Sequence, residues 1–259
     1  MSGDHYEEVI KNLIDSGFSA EMKALSECLG RQWTATGGAS YFDLDERKSR
    51  EFDLDAFCVI QPIALSAISV LSVIGEVKRS TGRPWVIFRD PEGPIPVSHT
   101  VGQLVVLSKE VEDLGRVREF IHVKAQLSHK MKWSGYAVHE AHKSPGQPSQ
   151  WYKAFVTVCK AAASKTSWAN QIVQNNPRAV VHVRRVVILD GPLLTATLKE
   201  DGTIHISEEN MAPVRFSMNT TGDWEKPLAV DVVRLSAFGS YLDFCTEVAC
   251  QFTEIIAPS

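Results

Sequence analysis

The chain has 259 residues, of which 44% are hydrophobic, and its formal net charge is −4. This length allows one sizeable hydrophobic core, and the acidic balance excludes a uniformly polybasic nucleic-acid-binding protein. The first residues lack the apolar run of a signal peptide, and no apolar stretch reaches the roughly 20 residues of a membrane span. We therefore expect a cytoplasmic protein with no membrane partner, built as a single domain over residues 1–259.

Two helices are predicted at the start of the chain. Apolar residues from Tyr6 to Ile14 recur at helical spacing, and Gly17 suits the end of that helix. Ser19 can cap the second helix, and Gly37-Gly38 indicates a turn after it. The predicted apolar face of the second helix consists of Met22, Leu25 and Leu29.

Strands follow these helices. The segments REFDLDAFCVI, ISVLSVIGEVK and PWVIF predict three strands, and the loop RDPEGPIPVSHTVG begins a basic insertion around residues 90–150. Residues 151–172 predict one long helix. RAVVHVRRVVILDGPLLTATL and GTIHISE predict further strands, and FGSYLDFCTEVACQFTEII predicts a closing helix. This order predicts an α/β or α+β fold, with a mixed central sheet flanked by helices.

The five cysteines are odd in number and form no Cys-x-x-Cys pair. Each occurs in an apolar or helical context, which favours buried, reduced thiols; disulfides and metal ligands are the alternatives. These residues are Cys28, Cys58, Cys159, Cys245 and Cys250.

A carboxylate and an ammonium end a strand that otherwise looks buried. Glu76 and Lys78 follow the apolar run of ISVLSVIGEVK and share one face, because strand side chains alternate. On the preceding strand Glu51, Asp53 and Asp55 share a face, and the residues between them face the other way. If the two strands pair antiparallel, Asp53 and Glu76 converge at one end of the sheet.

This arrangement fits metal-dependent phosphodiester hydrolysis. Two unpaired carboxylates that lie close together repel each other, and a divalent cation such as Mg²⁺ or Mn²⁺ removes that cost. A lysine beside the metal can orient or deprotonate an attacking water and can stabilise charge that develops on a phosphate. The sequence therefore predicts a cation between Asp53 and Glu76, with Lys78 next to it.

The alternative is that these charges have no catalytic role. Asp53 and Asp55 would then be solvated on an edge strand, and Glu76 and Lys78 would form an ion pair worth under about 1 kcal/mol. Two features favour the catalytic interpretation. Glu76 follows a run suited to a central strand, and a third carboxylate, Glu21, lies in the first turn of the second helix.

The order GFSAEMKALSECLGRQW…SYFDLDERKSREFDLDAF…VIGEVKRSTGRPWVIF resembles the PD-(D/E)xK, or restriction-endonuclease-like, superfamily over about residues 6–90. The resemblance implies a restriction-endonuclease-like core with metal ligands Asp53 and Glu76, and a catalytic lysine, Lys78. It implies that Glu21 is an accessory ligand or positions the water. The Pro-Asp of the family name is absent, because Glu51-Phe52 precedes Asp53. The match to Arg-Glu-x-Asp favours Asp53 over Asp55.

Positive charge is concentrated in one segment. Residues 116–165 contain nine Lys or Arg against two Glu, a net charge of +7, with aromatic residues interleaved. Such a mixture suits phosphate contact combined with stacking on bases or sugars, although a solvated insertion is the alternative. The predicted nucleic-acid contacts are Lys124, Lys130, Lys132 and Lys143.

Together these features predict a Mg²⁺- or Mn²⁺-dependent nuclease that acts on DNA, of a restriction, defence or repair type. Two alternatives stay open. One is a non-catalytic nucleic-acid-binding or scaffold module of the same fold, and the other is an RNA-directed nuclease with the same chemistry. A homodimer is also compatible with the sequence.

Overall fold

A computed structural model of the chain shows one 11-stranded mixed sheet with helices packed on both faces. The predicted mixed α/β class with a flanked central sheet is therefore confirmed. No helix in the described part of the chain is long and apolar enough to cross a membrane. The structure describes residues 3–62, 67–80, 82–89, 103–112, 115–123, 125, 127–144, 146–218 and 228–257.

Eleven strands and eight α-helices make up the described ranges. The strands are β1 Thr34–Asp43, β2 Lys48–Ile60, β3 Ile68–Arg79, β4 Trp85–Arg89, β5 Leu104–Leu107, β6 Gly135–Glu140, β7 Ala179–Asp190, β8 Leu193–Leu198, β9 Ile204–Glu208, β10 Met211–Phe216 and β11 Leu228–Arg234. The helices are α1 Gly3–Ser16, α2 Phe18–Gly30, α3 Lys109–Glu112, α4 Gly115–Val123, α5 Leu127–Met131, α6 Gln150–Ser164, α7 Thr166–Asn175 and α8 Phe238–Ile256.

The centre of the sheet is the parallel pair β3 and β7, which stay in register from Ile68 opposite Ala179 to Arg79 opposite Asp190. Both strands are almost entirely buried, as expected for near-continuous apolar runs covered on both faces. The strand order is β1-β2-β3-β7-β11-β10-β6-β4-β8-β9, and β5 also pairs with β7. The strands predicted from the segments named above are β2, β3, β4, β7, β8 and β9, and all are present.

Two hydrophobic cores lie on the two faces of the sheet. One lies under α2, α4 and α8, and the other lies under α6 and α7. The prediction for the closing helix is confirmed, because its apolar stripe is buried. That stripe consists of Leu242, Cys245, Val248 and Phe252. All five cysteines are free thiols, as predicted, but Cys58 and Cys250 are only partly buried.

The N-terminal predictions need correction. α2 begins at Phe18, directly after Gly17 in the left-handed conformation (φ 93°), so Ser19 is inside the helix and does not cap it. Gly37 and Gly38 do not form a turn but lie inside β1, because this strand is held by antiparallel pairing with β2. Such long-range pairing is invisible to local turn signals.

The apolar face predicted for α2 is also wrong. The helix buries its small residues, Ala20, Ala24 and Cys28, whereas Met22 and Leu29 are exposed and Leu25 is partly buried. Small residues permit the close contacts that α2 makes with β1, β2, β3 and α8. Likewise the apolar stripe of α1 forms as a helix, but it is exposed. Its residues are Tyr6, Val9, Ile10, Leu13 and Ile14.

The predicted long helix over residues 151–172 is two helices, because the chain breaks at Lys165 between α6 and α7. The loop around residues 90–102 lies outside the described residues. The described remainder of the basic insertion is integrated into the domain. It contributes β5 and β6 to the central sheet, and Val117, Phe120 and Leu127 to the core under α8.

Candidate active site

The ends of β2 and β3 bring the predicted carboxylates together. The two strands pair antiparallel as predicted, with Leu54 opposite Gly75 as the last pair, so Asp53 and Glu76 follow where the strands separate. Oδ2 of Asp53 accepts a hydrogen bond from the Val77 backbone N–H at 2.7 Å. This bond takes the place of a ladder bond, and it holds the carboxylate at the end of β3.

Asp53 lies where the face alternation of β2 fails, which corrects the sequence interpretation. Phe52 packs in the core under α6, whereas Leu54 packs in the core under α8, so these two residues do not share a face. The irregularity occurs across from Gly38, which has a positive φ of 62°. The strand therefore twists at Asp53, and this carboxylate leaves the face that Asp55 occupies.

Lys78 links the two carboxylates. Its Nζ donates to Oε2 of Glu76 at 2.5 Å and lies 3.6 Å from Oδ2 of Asp53. The two oxygens are therefore no farther apart than the sum of these distances. Two oxygens on opposite sides of one Mg²⁺ are about 4.2 Å apart, so this upper bound is compatible with one cation shared by both carboxylates.

A polar cleft of about 600 Å³ opens onto this cluster. Glu21, in the first turn of α2, lines it together with Asp53 and Lys78. Burial and the neighbouring Asp53 carboxylate raise the pKa of Glu21, while Lys78 acts in the opposite direction. Glu21 therefore belongs to the same electrostatic cluster. The remaining lining residues are Ser16, Gly17, Val77, Arg79 and Gln150.

The cluster contains more negative than positive charge. Burial raises the pKa of Glu76 to about 7; the Asp53 carboxylate adds to this effect and Lys78 opposes it. For Lys78, burial lowers the pKa, but Glu76 and Asp53 outweigh burial and hold it above its ordinary value. Lys78 is therefore an ammonium at neutral pH, and it pairs with both Asp53 and Glu76.

Two helix N-termini also face the cleft. α2 begins beside it at Gly17, with no side-chain cap, and α6 begins beside it at Gln150. Backbone N–H groups and the helix dipole make such ends favourable for anions. The guanidinium of Arg79 adds positive charge and is fixed by donation from Nη1 to the Ile14 carbonyl at 2.5 Å.

Asp55 lies apart from the cleft. It pairs across the sheet with Ile74 rather than with the end of β3, and it forms an ion pair with Lys165. Sequence reasoning had placed Asp55 on the same face as Asp53. The geometry places only Asp53 in the cleft, because β2 twists between the two residues.

The four lysines predicted to contact nucleic acid have different environments. Lys124 lies outside the described residues, while Lys130 and Lys132 are exposed. Nζ of Lys130 lies 4.8 Å from the centre of the Phe244 ring, and Lys143 donates to Oγ of Ser149 at 2.9 Å. Their role in binding stays a prediction.

Part of the positive charge predicted for the segment 116–165 is neutralised within the protein. Lys160 forms ion pairs with Asp43 and Asp45, and Lys165 pairs with Asp55. The segment also covers both faces of the sheet, since α4 packs on α8 and α6 packs on β3 and β7. Among the described residues of this segment, the positive charge is consequently divided between the two faces of the sheet and partly paired.

Sequence reasoning did not single out two residues that line the cleft, Arg79 and Gln150, or Lys153, whose charge acts on Glu76. Arg79 directly follows the Glu-x-Lys motif, so its position in the sequence could have identified it as a site residue. Gln150 and Lys153 reach the site only through the docking of α6, and no local pattern marks them. The charge of Lys153 lowers the pKa of Glu76, so its ammonium acts on the same cluster.

Comparisons with known proteins gave no match for this chain to any protein-family profile, curated protein or solved structure. Within the described residues, no group of three or more His, Cys, Asp or Glu side chains is close enough to hold a metal ion. A cation at this cleft would therefore be held by two carboxylates and completed by water or substrate oxygens. That is the usual coordination of Mg²⁺ in proteins.

Proposed function

We propose that the protein is a metal-dependent nuclease that hydrolyses phosphodiester bonds in DNA, with a restriction-endonuclease-like core. One observation carries the proposal: Glu21, Asp53 and Lys78 line a single polar cleft at the ends of two paired strands, and Lys78 also donates to the buried Glu76 beside it. An ion pair between Lys78 and Glu76 with only a structural role does not require two further carboxylates, Asp53 and Glu21, close to the same ammonium.

The donor set fits Mg²⁺ or Mn²⁺. Asp53 and Glu76 would hold the cation, since oxygen ligands suit both ions and one oxygen of each carboxylate accepts no hydrogen bond from the described residues. When bound, the cation supplies a polarised water and a counter-charge for the phosphate. It also opposes the burial and the Asp53 charge that raise the pKa of Glu76.

The protein's own groups suit a phosphate in this cleft. Lys78 is protonated at neutral pH, so it can donate hydrogen bonds to phosphate oxygens as negative charge develops on them. The N-terminus of α2 and the guanidinium of Arg79 add further positive potential. Glu21 can accept a hydrogen bond from an attacking water, which would orient that water toward the phosphorus.

A cleavage assay tests the proposal. Supercoiled plasmid, single-stranded DNA and RNA oligomers are incubated with the protein in Mg²⁺, Mn²⁺ or EDTA. Wild type should cleave DNA only with a divalent ion. Lys78→Ala should slow cleavage by about 10²–10³-fold or more, because Lys78 acts on charge that develops in the transition state. Its melting temperature should remain close to that of wild type.

Lys165→Ala is the matched control. Lys165 also pairs with a carboxylate of β2, and its exposed side-chain fraction of 24% is close to the 22% of Lys78. It should retain the wild-type cleavage rate. Equal cleavage by Lys78→Ala and wild type would refute the proposal, and metal-dependent cleavage of RNA alone would reassign the substrate.

A further inference from the structure

A second cleft of about 500 Å³ adjoins the N-terminus of α6. Its walls are mainly aromatic, with polar groups at the edges, and we call it the aromatic cleft. The residues that define it are Tyr136, Trp151, Tyr152, Arg215, Phe216 and Ser217. They come from β6, α6 and β10, so the fold rather than a single loop holds the cleft together.

The rings of this cleft are fixed against one another but remain accessible. Trp151 meets Tyr152 edge-on at 5.7 Å between ring centres, and Tyr152 meets Phe216 at 5.8 Å. Such edge-to-face contacts hold rings in defined orientations. Yet Tyr136 and Tyr152 are 54% and 51% exposed. Rings that served only as core would be covered, so two half-exposed tyrosines in a concave site indicate a planar ligand.

The aromatic cleft and the candidate active site lie on either side of the first turn of α6. Gln150 lines the polar cleft of the candidate active site, called the catalytic cleft here, and the next two residues, Trp151 and Tyr152, line the aromatic cleft. Lys153, one position further, carries an exposed ammonium that acts on Glu76. Adjacent phosphates of one nucleic-acid strand are only several ångströms apart, and consecutive residues line the two clefts, so a short stretch of one strand could span both.

We infer that the aromatic cleft binds an unpaired nucleobase of the substrate strand whose phosphate enters the catalytic cleft. The inference rests on the proposed function. Aromatic rings stack on a base of any sequence, and the adjoining cations match the charge of its phosphates. Bases inside a duplex have both faces covered by their neighbours, so the cleft accepts a base only from a single strand or from an opened duplex. The preferred substrate is therefore single-stranded or locally unpaired DNA.

Binding measurements with the full chain test this inference. Lys78→Ala serves as the non-cleaving background, and fluorescence anisotropy reports its affinity for labelled single-stranded and duplex DNA. In that background Tyr152→Ala and Tyr136→Ala should each weaken single-strand binding by about five-fold or more, because each removes a stacking surface. Tyr152→Phe should retain the affinity, because the ring remains. Duplex binding should change little.

Phe42→Ala is the matched control, since Phe42 is also 54% exposed but lies at another cleft, beside Lys160. It should leave both affinities unchanged. Thermal melts check that each variant is folded. If the tyrosine variants lose equal affinity for single-stranded and duplex DNA, or lose affinity for neither, the inference is wrong. No loss of affinity for either DNA is the result expected of a cleft that binds an apolar peptide instead. If wild type binds single-stranded DNA but does not cleave it with a divalent ion, the proposed nuclease activity is wrong, and the inference about the aromatic cleft still stands.

Discussion

Two charged clusters near the centre of the sheet differ in how their charges are balanced. Arg184 on β7 and Asp231 on β11 form a sealed pair, with exposed side-chain fractions of 0% and 1%. Nη2 of Arg184 lies 2.6 Å from Oδ2 of Asp231, and the Tyr241 hydroxyl donates to the same oxygen at 2.7 Å. Nη1 of Arg184 donates to the Ala125 carbonyl at 2.8 Å. At the candidate active site, by contrast, Lys78 pairs with both Asp53 and Glu76.

The pKa values of Arg184 and Glu76 differ from their ordinary values for different reasons in the two clusters. Burial alone would lower the pKa of Arg184, but Tyr241 and Asp231 reverse this and raise it above its ordinary value. At the candidate active site, burial outweighs Lys78 and raises the pKa of Glu76 to about 7. The sealed cluster around Arg184 is paired within the protein, whereas the open cluster around Lys78 leaves the pKa of Glu76 raised. A structural role suits the first and a catalytic role suits the second.

The largest effect on stability is expected from breaking the sealed pair. Asp231→Asn leaves Arg184 buried without a counter-charge, so the free energy of unfolding should fall by about 3–5 kcal/mol. Urea unfolding followed by circular dichroism measures this change. Asp243→Asn is the control, because its pair with Arg31 is exposed and should contribute under about 1 kcal/mol. Equal effects of the two variants would contradict the contrast.

An intermediate effect is expected from His182, a buried polar group outside both clusters. Neither ring nitrogen has a hydrogen-bond partner among the described residues. Burial, followed by the charges of Arg184 and Arg185, lowers the pKa of His182 well below its ordinary value. Below pH of about 6.5 the unfolded chain therefore binds a proton that the folded protein does not, and stability falls as the pH falls.

His182→Phe should remove this contribution of up to about 1.4 kcal/mol per pH unit below pH 6.5. Unfolding free energies of wild type and variant from pH 7 to pH 5 measure the two slopes. His205→Gln is the control, since His205 is exposed, and it should keep the wild-type slope. An unchanged slope in His182→Phe would show that other groups dominate the acid sensitivity.

The smallest effect is expected from Glu21, at the edge of the open cluster. Glu21→Gln should lower the cleavage rate by about ten-fold, as for other residues that orient metal-bound groups without being principal ligands. The matched variant Asp55→Asn should change the rate little, because Asp55 pairs with Lys165 outside the cleft. The reverse order of effects in the plasmid assay would exchange the roles of the two carboxylates.

The sequence by itself determined the elements whose patterns are local. The apolar runs of β3 and β7, and the stripe of α8, follow from the covalent periodicity of strands and helices. The same periodicity put Glu76 and Lys78 on one face, and the assumption of antiparallel pairing put Asp53 near them. The alternation of β2 itself fails at Asp53, so periodicity alone did not fix the direction of that carboxylate.

Only the tertiary structure decided which neighbouring groups join them. The twist of β2 opposite Gly38 separates Asp55 from Asp53, and it depends on how β1 pairs with β2. The packing of α6 on the sheet brings Gln150 to the polar cleft of the candidate active site. α2 buries Ala24 rather than Met22, because small side chains let the helix pack closely against its neighbours. These outcomes depend on contacts between residues far apart in the chain, and a local sequence pattern does not predict such contacts.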